Sequence, residues 1–326
     1  MIAYLGRRIA NHVVLTLVAS CLAYVLASLT LNPAAPMEGR HPRPPQSTID
    51  LYLDGMGVNP DVSLLSRTLH WLGGVLHGDF GLSVNNHSVA HEMWVRMGIS
   101  LEMLLVGSVI GTLLGIVLGV WGAIKQHRLS DEVVTLASYV VFAAPTFVMG
   151  IIAMILATKF NQAIGHTLIT FSGPRSAIVE GGLWPHVWDR ISHLLLPSIV
   201  LILTVAASFS RYQRASMLDV LDSDFIRTAR AKGLSRGRAM RRHGVRVALI
   251  PMAVFFAYSV GLLVTGSLFL EVIFGWDGMG QYSIRAITSS DINAIAGTTC
   301  YIAVLTLISS TLSEIAFVTL DPRARL

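Results

Sequence analysis

The most specific pattern of chemically capable residues occupies positions 224–251. There Asp224, Phe225, Ile226, Arg227, Thr228, Ala229, Arg230, Ala231, Lys232, Gly233 and Leu234 are followed by Ser235, Arg236, Arg238, Arg241 and Arg242. Ser223 or Asp224 can cap a short helix, with Phe225, Ile226 and Ala229 expected on one face. Arg230 and Lys232 complement the negative end of that helix, and Gly233 suits its stop. Ser235 can open a second helix, and Pro251 lies just inside the next apolar run. A helix–turn–helix of this composition does recognition rather than catalysis. Its alanines and glycine stop fit insertion into a groove on another protein, while its cations fit anionic membrane lipid.

Groups for covalent chemistry are missing elsewhere. No nucleophile and base stand together in any apolar run. The chain contains no Gly-Lys pair, so it lacks the phosphate loop by which ATP is commonly hydrolysed. The 11 histidines show no metal-ligand spacing, so no metal and no cofactor is expected on this chain, and it is not expected to be an enzyme. Cys21 and Cys300 fall inside apolar runs and read as packing residues. Glu102, Lys159 and Glu314 lie near the ends of such runs. The centres are clear of the carboxylates that mark proton or sodium pathways.

The elements that must carry the basic segment are membrane helices. Hydrophobic residues make up 53% of the 326, and charged residues only 13%, half the share of an ordinary soluble domain at about 25%. Crossing a bilayer core takes about 20 apolar residues of helix. Six runs meet that length, at about 9–31, 99–124, 133–158, 194–210, 247–270 and 294–320. The expected fold is therefore an all-α integral membrane protein of about six transmembrane helices. With the N-terminus inside, the inner segments hold Arg7, Arg8, Lys125, Arg128, the cluster from Arg211 to Arg246, Arg323 and Arg325, which is most of the 24 basic residues. That bias places both termini in the cytoplasm and the basic loop between the fourth and fifth helices on the same side. The formal charge of +5 then reflects inner loops, not nucleic-acid binding.

The division expected along the chain is an N-terminal tail and first helix at 1–31, a long outer segment at 32–98, a five-helix core at 99–320 containing the basic loop 211–250, and a cytoplasmic tail at 321–326. Pro42, Pro44 and Pro45 give the first part of the outer segment the character of an extended loop. Within the second run Gly107, Gly111, Gly115 and Gly119 recur every fourth residue, a stripe along which another helix can approach closely. That helix belongs either to the same bundle or to a partner subunit.

The stretch from Asp224 onward to Ala248-Leu-Ile-Pro251 resembles the cytoplasmic signature loop of ABC importer permeases, and more closely that of the dipeptide and oligopeptide branch. The general signature is Glu-Ala-Ala, three residues, then Gly; here Arg227, Thr228 and Ala229 precede Gly233, and Arg246 stands where other permeases carry proline. Further resemblances follow in order: His77-Gly-Asp-Phe-Gly-Leu-Ser83, Arg211 with Arg214-Ala-Ser-Met-Leu218, Glu271-Val-Ile-Phe-Gly-Trp-Asp-Gly-Met-Gly280, and Asp321-Pro322-Arg323. Asp277 departs from the proline usual at its position.

The resemblance implies a channel-forming subunit of an ATP-driven importer in a bacterial or archaeal cell membrane. Its implied partners are a second permease, two ATP-hydrolysing subunits or one fused pair, and an extracytoplasmic solute-binding protein, with ATP and Mg on the partner subunits. Asp224 to Leu234 would dock on the ATPase. Glu271, Phe274, Trp276, Asp277, Gly278 and Gly280 would form an outer gate or a contact for the binding protein, or else a glycine-rich turn. The alternative is a stand-alone channel or secondary transporter.

Overall fold

The computed structural model describes residues 2–320, apart from the side chains of 2–5, 8, 253, 257, 258, 260–266 and 316–320. The ending Asp321-Pro322-Arg323 and the tail 321–326, with Arg323 and Arg325, lie outside the described residues.

In chain order the helices are α1 (Ile2–Thr30), α2 (Ala35–Glu38), α3 (Gln46–Met56), α4 (Leu64–Leu76), α5 (Val89–Ile124), α6 (Leu129–Ala143) and α7 (Thr146–Ile164). They continue as α8 (Leu183–Leu221), α9 (Asp224–Ala231), α10 (Arg236–Ala239), a π-helical turn (Met240–Gly244), α11 (Val245–Ala248), α12 (Ile250–Ile273), α13 (Met279–Thr288) and α14 (Ile292–Leu320). No strand occurs among the described residues, where Leu82 and Ser88 form an isolated bridge. Five stretches among them are long and apolar enough to cross a membrane: Ile9–Glu38, Val89–Ile124, Thr146–Ile164, Leu183–Leu221 and Ile292–Ile315. The run expected at 247–270 falls on α12.

The run expected at 133–158 is not one helix. It breaks between α6 and α7, where Ala144 is extended and Pro145 occupies the N-cap of α7. Proline lacks the N–H that would continue α6, and it disfavours helical backbone in the residue before it.

Two compact units divide the chain. The first comprises Met1–Ser100 and Asp277–Ile308. In the first part of its segment 32–98 the stretch around Pro42 and Pro44 is non-helical, and the rest is largely helical, in α3 and α4. Pro36 falls in the first turn of α2, and Pro45 directly precedes α3, positions where the missing N–H costs nothing. Ile49, Leu53 and Met56 of α3 are buried with Tyr24 of α1 and Trp71 of α4. The Tyr24 and Trp71 rings stack at 5.1 Å, and the Tyr24 hydroxyl donates to the Gly57 carbonyl. At the head of α14, Asp291 accepts the N–H of Ala294 and that of Val84, while Asn293 donates to the carbonyls of Met56 and Leu82. Burial pushes the Asp291 carboxyl above the ordinary carboxylate range, against the pull of those two N–H groups.

The second unit comprises Leu101–Trp276 and Ser309–Leu326. Here α5 and α8 run parallel in contact. A Cβ on Gly107 would come within 3 Å of Leu201, one on Gly111 within 3 Å of Val205, one on Gly115 2.6 Å from Cβ of Phe209, and one on Gly119 2.7 Å from Cβ of Gln213. The every-fourth-residue groove of α5 thus receives an every-fourth-residue ridge of α8, and all four ridge side chains are buried. The occupant of the stripe in this structure is a helix of the same chain.

Gly115→Ala is expected to destabilise the protein by about 1–3 kcal/mol, because its Cβ meets the Phe209 side chain and the Ala206 carbonyl. Gly98→Ala on the same helix, where a Cβ meets nothing within 4 Å, should leave stability unchanged or slightly raised. Thermal midpoints of the two variants in detergent check the contrast.

Candidate functional site

The basic segment folds back on the α5–α8 pair. Ser223 stands at the N-cap of α9, but its hydroxyl donates to the Val220 carbonyl at 2.6 Å instead of capping the helix. At the other end Gly233 adopts φ +93°, its N–H reaches the Arg230 carbonyl, and the N–H of Leu234 reaches the carbonyl of Ala229. That is the left-handed stop for which glycine is suited.

Three residues expected on one face of α9 divide between two. Ile226 and Ala229 are buried against Ala123 of α5, Met217 of α8, Ala239, Met240 and Ala248. Phe225 is 42% exposed, since one step along a helix turns about 100° and places it beside that face rather than on it. Ala229 therefore seals α9 to its own chain and is not on the exposed face. Asp224, Phe225, Arg227, Thr228, Arg230, Ala231, Lys232 and Gly233 form the exposed surface. Arg227 and Asp224 approach to 3.6 Å there, both well exposed, a pair that contributes little to stability. Further ties run back to the bundle: Arg236 donates to the Gln126 side chain at 2.8 Å, and Ser216 of α8 donates to the Ala248 carbonyl at 3.1 Å.

Two ion pairs bracket the α5–α8 contact. At one end Arg214 of α8 meets Asp131 of α6 in a two-pronged pair, both hydrogen bonds at 2.7 Å, with Asp131 almost wholly buried. Arg211 lies over the rings of Tyr139 and Phe142 at 4.5 and 4.3 Å. At the other end Arg190 of α8 pairs with Glu102 of α5, donates to the Pro174 carbonyl and covers the ring of Trp276 at 4.9 Å. Arg190 and Arg214 stand about 36 Å apart along α8 at 1.5 Å per residue, slightly more than a bilayer core of about 30 Å.

Both pairs escaped the sequence reading. Glu102, placed there only near the end of an apolar run, has a specific partner 88 residues away. Asp291 and Asn293 were also missed, although an Asp directly before a long apolar run is a helix-cap signal.

The residues expected at an outer gate or partner contact fall in both units. In the second unit Glu271, Phe274 and Trp276 are buried, and the Phe274 carbonyl accepts the N–H of Gly173 at 2.7 Å. These two rings pack within the unit, so in this conformation they offer no surface to a partner. In the first unit Asp277 is partly exposed and pairs with Arg285 at 3.0 Å and Arg96 at 3.4 Å. Gly278 caps α13, and Gly280 lies in its first turn. Among the described residues no group of three or more His, Cys, Asp or Glu side chains could hold a metal ion.

An all-helical chain with several membrane-length helices, two ion pairs at their ends and a basic segment packed beneath them defines a polytopic membrane subunit. Residues 111–326 match the family of binding-protein-dependent transport system inner membrane components, and the chain belongs to that family. It is 47% identical over 325 residues to an oligopeptide transport system permease protein, OppB, of Mycobacterium tuberculosis (strain H37Rv), covering 100% of this chain and 99% of the relative. It is 30% identical over 327 residues to the AppB oligopeptide permease of Bacillus subtilis, covering 99% of each. Against the dipeptide permease DppB of Escherichia coli K12 the identity is 28% over 334 residues, covering 98% of this chain and 97% of that one.

Removing Asp131 leaves the Arg214 guanidinium without its partner at a mostly buried position. A double-mutant cycle of Asp131→Ala and Arg214→Ala, read from thermal or denaturant unfolding in detergent, should give a coupling of about 1–3 kcal/mol. Additive losses would mean that the pair is not stabilising.

Proposed function

We propose that this chain is one permease subunit of an ATP-driven importer of oligopeptides or dipeptides, and that α9 is the element through which ATPase subunits move it. The support for the substrate class is the naming of its relatives, which span the chain end to end. The observation that carries the coupling role is the division of α9 into two faces. Ile226 and Ala229 lock it to α5 and α8, and Phe225, Thr228 and Ala231 are left exposed. A short helix rigidly backed on one side and open on the other transmits displacement instead of absorbing it.

In this reading the segment and both termini face the cytoplasm of a bacterial cell, and the chain itself holds neither nucleotide nor metal. ATP and Mg belong to two ATP-hydrolysing subunits or one fused pair. A second permease completes the pathway, and a solute-binding protein outside delivers peptide.

Ala231→Trp adds bulk to the exposed face without entering the Ile226 core. In liposomes carrying the assembled transporter it should lower peptide uptake per ATP hydrolysed about tenfold, the equivalent of about 1.4 kcal/mol of lost coupling, while insertion and thermal midpoint stay unchanged. Uptake at the normal ratio in that variant, or uptake by this chain without ATPase subunits, would overturn the proposal; the second result would favour a stand-alone channel or secondary transporter.

A further inference from the structure

The second unit contains two cavities that adjoin along α7 and α8. One, of about 560 Å³, is lined mainly by polar residues; it lies at the end of α8 remote from α9 and takes in the loop that follows α7. The other, of about 630 Å³, is an apolar groove between α6, α7 and α8. Ile169 lines both, and the same helical rows run from one into the other: Asn161, Ala157 and Ala153 on α7, His193, Leu196 and Val200 on α8.

The apolar groove has the depth of one leaflet. From His193 to Leu203 along α8 is about 15 Å at 1.5 Å per residue, half of a bilayer core of about 30 Å. Over that depth its volume gives a cross-section of about 40 Å², roughly half that of a helix about 10 Å across. The groove therefore takes alkyl chains and is too narrow for a further helix. Ala144, at the break between α6 and α7, lines its inner end. On its walls Ile152, Leu156, Phe160, Ile199 and Leu203 are 40–61% exposed, and on membrane-length helices such walls meet hydrocarbon.

The polar-lined cavity has the features of a head-group site. Asn161 ties its loop to α7: Nδ2 donates to the Ile169 carbonyl at 2.9 Å, and Oδ1 accepts the N–H groups of Leu168 and Ile169, each at 3.0 Å. Among the described residues no Asp, Glu, Lys or Arg lines it. His193, which does, is 3% exposed, and its Nδ1 faces the Asp189 carbonyl at 2.8 Å and the Thr170 hydroxyl at 3.3 Å. A carbonyl only accepts, so Nδ1 carries the hydrogen, and Nε2 of the neutral ring is an acceptor. His166 repeats the arrangement, with Nδ1 3.1 Å from the Ile164 carbonyl. The Asp189 carboxylate is engaged by the N–H and the hydroxyl of Ser176. A head group with N–H donors and no net charge matches this lining, whereas an anionic one finds no fixed cation in it.

We propose that α6, α7 and α8 hold one phospholipid from the leaflet remote from α9, with an acyl chain in the groove and a zwitterionic head group bearing a primary ammonium in the polar-lined cavity. The ammonium donates to Nε2 of His193 and of His166. The site needs only insertion in a membrane and does not rest on ATPase coupling.

Native mass spectrometry of the full chain in detergent, titrated with dioleoyl phosphatidylethanolamine or dioleoyl phosphatidylcholine, tests it. The two lipids differ only in three N-methyl groups, which remove the N–H donors. The first ethanolamine lipid should bind about tenfold tighter than the first choline lipid. Ala153→Phe, which fills the groove, should weaken the ethanolamine lipid by a similar factor. His193→Asn, which keeps a donor for the Asp189 carbonyl but lacks Nε2, should erase the preference; if it fails to fold, the lipid pair and Ala153→Phe still decide. Equal binding of the two lipids, unchanged binding by Ala153→Phe, or a preference kept by folded His193→Asn would each overturn the proposal. The tight site should persist in the assembled transporter, and its loss there would assign the groove to a neighbouring subunit and overturn the proposal as well.

Discussion

Backbone-close contact between α5 and α8 is the constraint from which the second unit follows. In hydrocarbon, apolar side chains gain nothing by leaving lipid for one another, so helix association depends on close packing and on polar pairs. Gly107, Gly111, Gly115 and Gly119 provide the first by admitting Leu201, Val205, Phe209 and Gln213 to the α5 backbone. Glu102–Arg190 provides the second at one end of the contact, and beyond its other end Arg214 ties α8 to Asp131 of α6. A stripe without the Glu102–Arg190 pair could slide along its groove. The ion pair without the stripe would hold the two helices at a distance set by their widest side chains.

The α9 segment inherits its position from that pair. Ala123 on α5 and Met217 on α8 meet Ile226 and Ala229 in one buried cluster, and Met240 in the π-helical turn closes it. Arg236–Gln126 and Ser216–Ala248 add hydrogen bonds from the basic segment to the same two regions. The exposed residues of α9 are thus the outer surface of a packed cluster that reaches back to α5 and α8. On the proposed reading, that continuity is the physical route by which separate ATPase subunits would move the membrane helices of this chain.

Much of this was legible in residues close together in sequence. The four-residue glycine period announced a groove, the limits of α9 were marked by Ser223 and Gly233, and the apolar runs located the long helices. Pro145 carried a break that run length alone concealed, because apolar composition continues across it. The prolines of the segment 32–98 told only part of its structure: the stretch around Pro42 and Pro44 is non-helical, whereas Pro36 and Pro45 start helices, and the core that holds those helices joins Tyr24, Trp71 and Ile292 across the whole chain. Glu102 and Arg190, or Asp291 and Val84, are partners only after folding, and no local pattern relates them. Phe225 does not share the face of Ile226 and Ala229, because in a two-turn helix neighbouring positions differ by more than a quarter of a circle and only the packed partner decides which one turns inward.

The rigid connection between α9 and α5 is the claim most directly open to measurement. In a background with Cys21 and Cys300 replaced by serine, spin labels at Arg227 on α9 and at the exposed Val117 on α5 would be measured by pulsed electron paramagnetic resonance in the assembled transporter, with and without bound ATP. One unchanged distance distribution in both states is the predicted result: α9 and α5 move as a body. A distribution that shifts on ATP binding would show α9 moving independently of the helices it is held to drive, and would contradict the account.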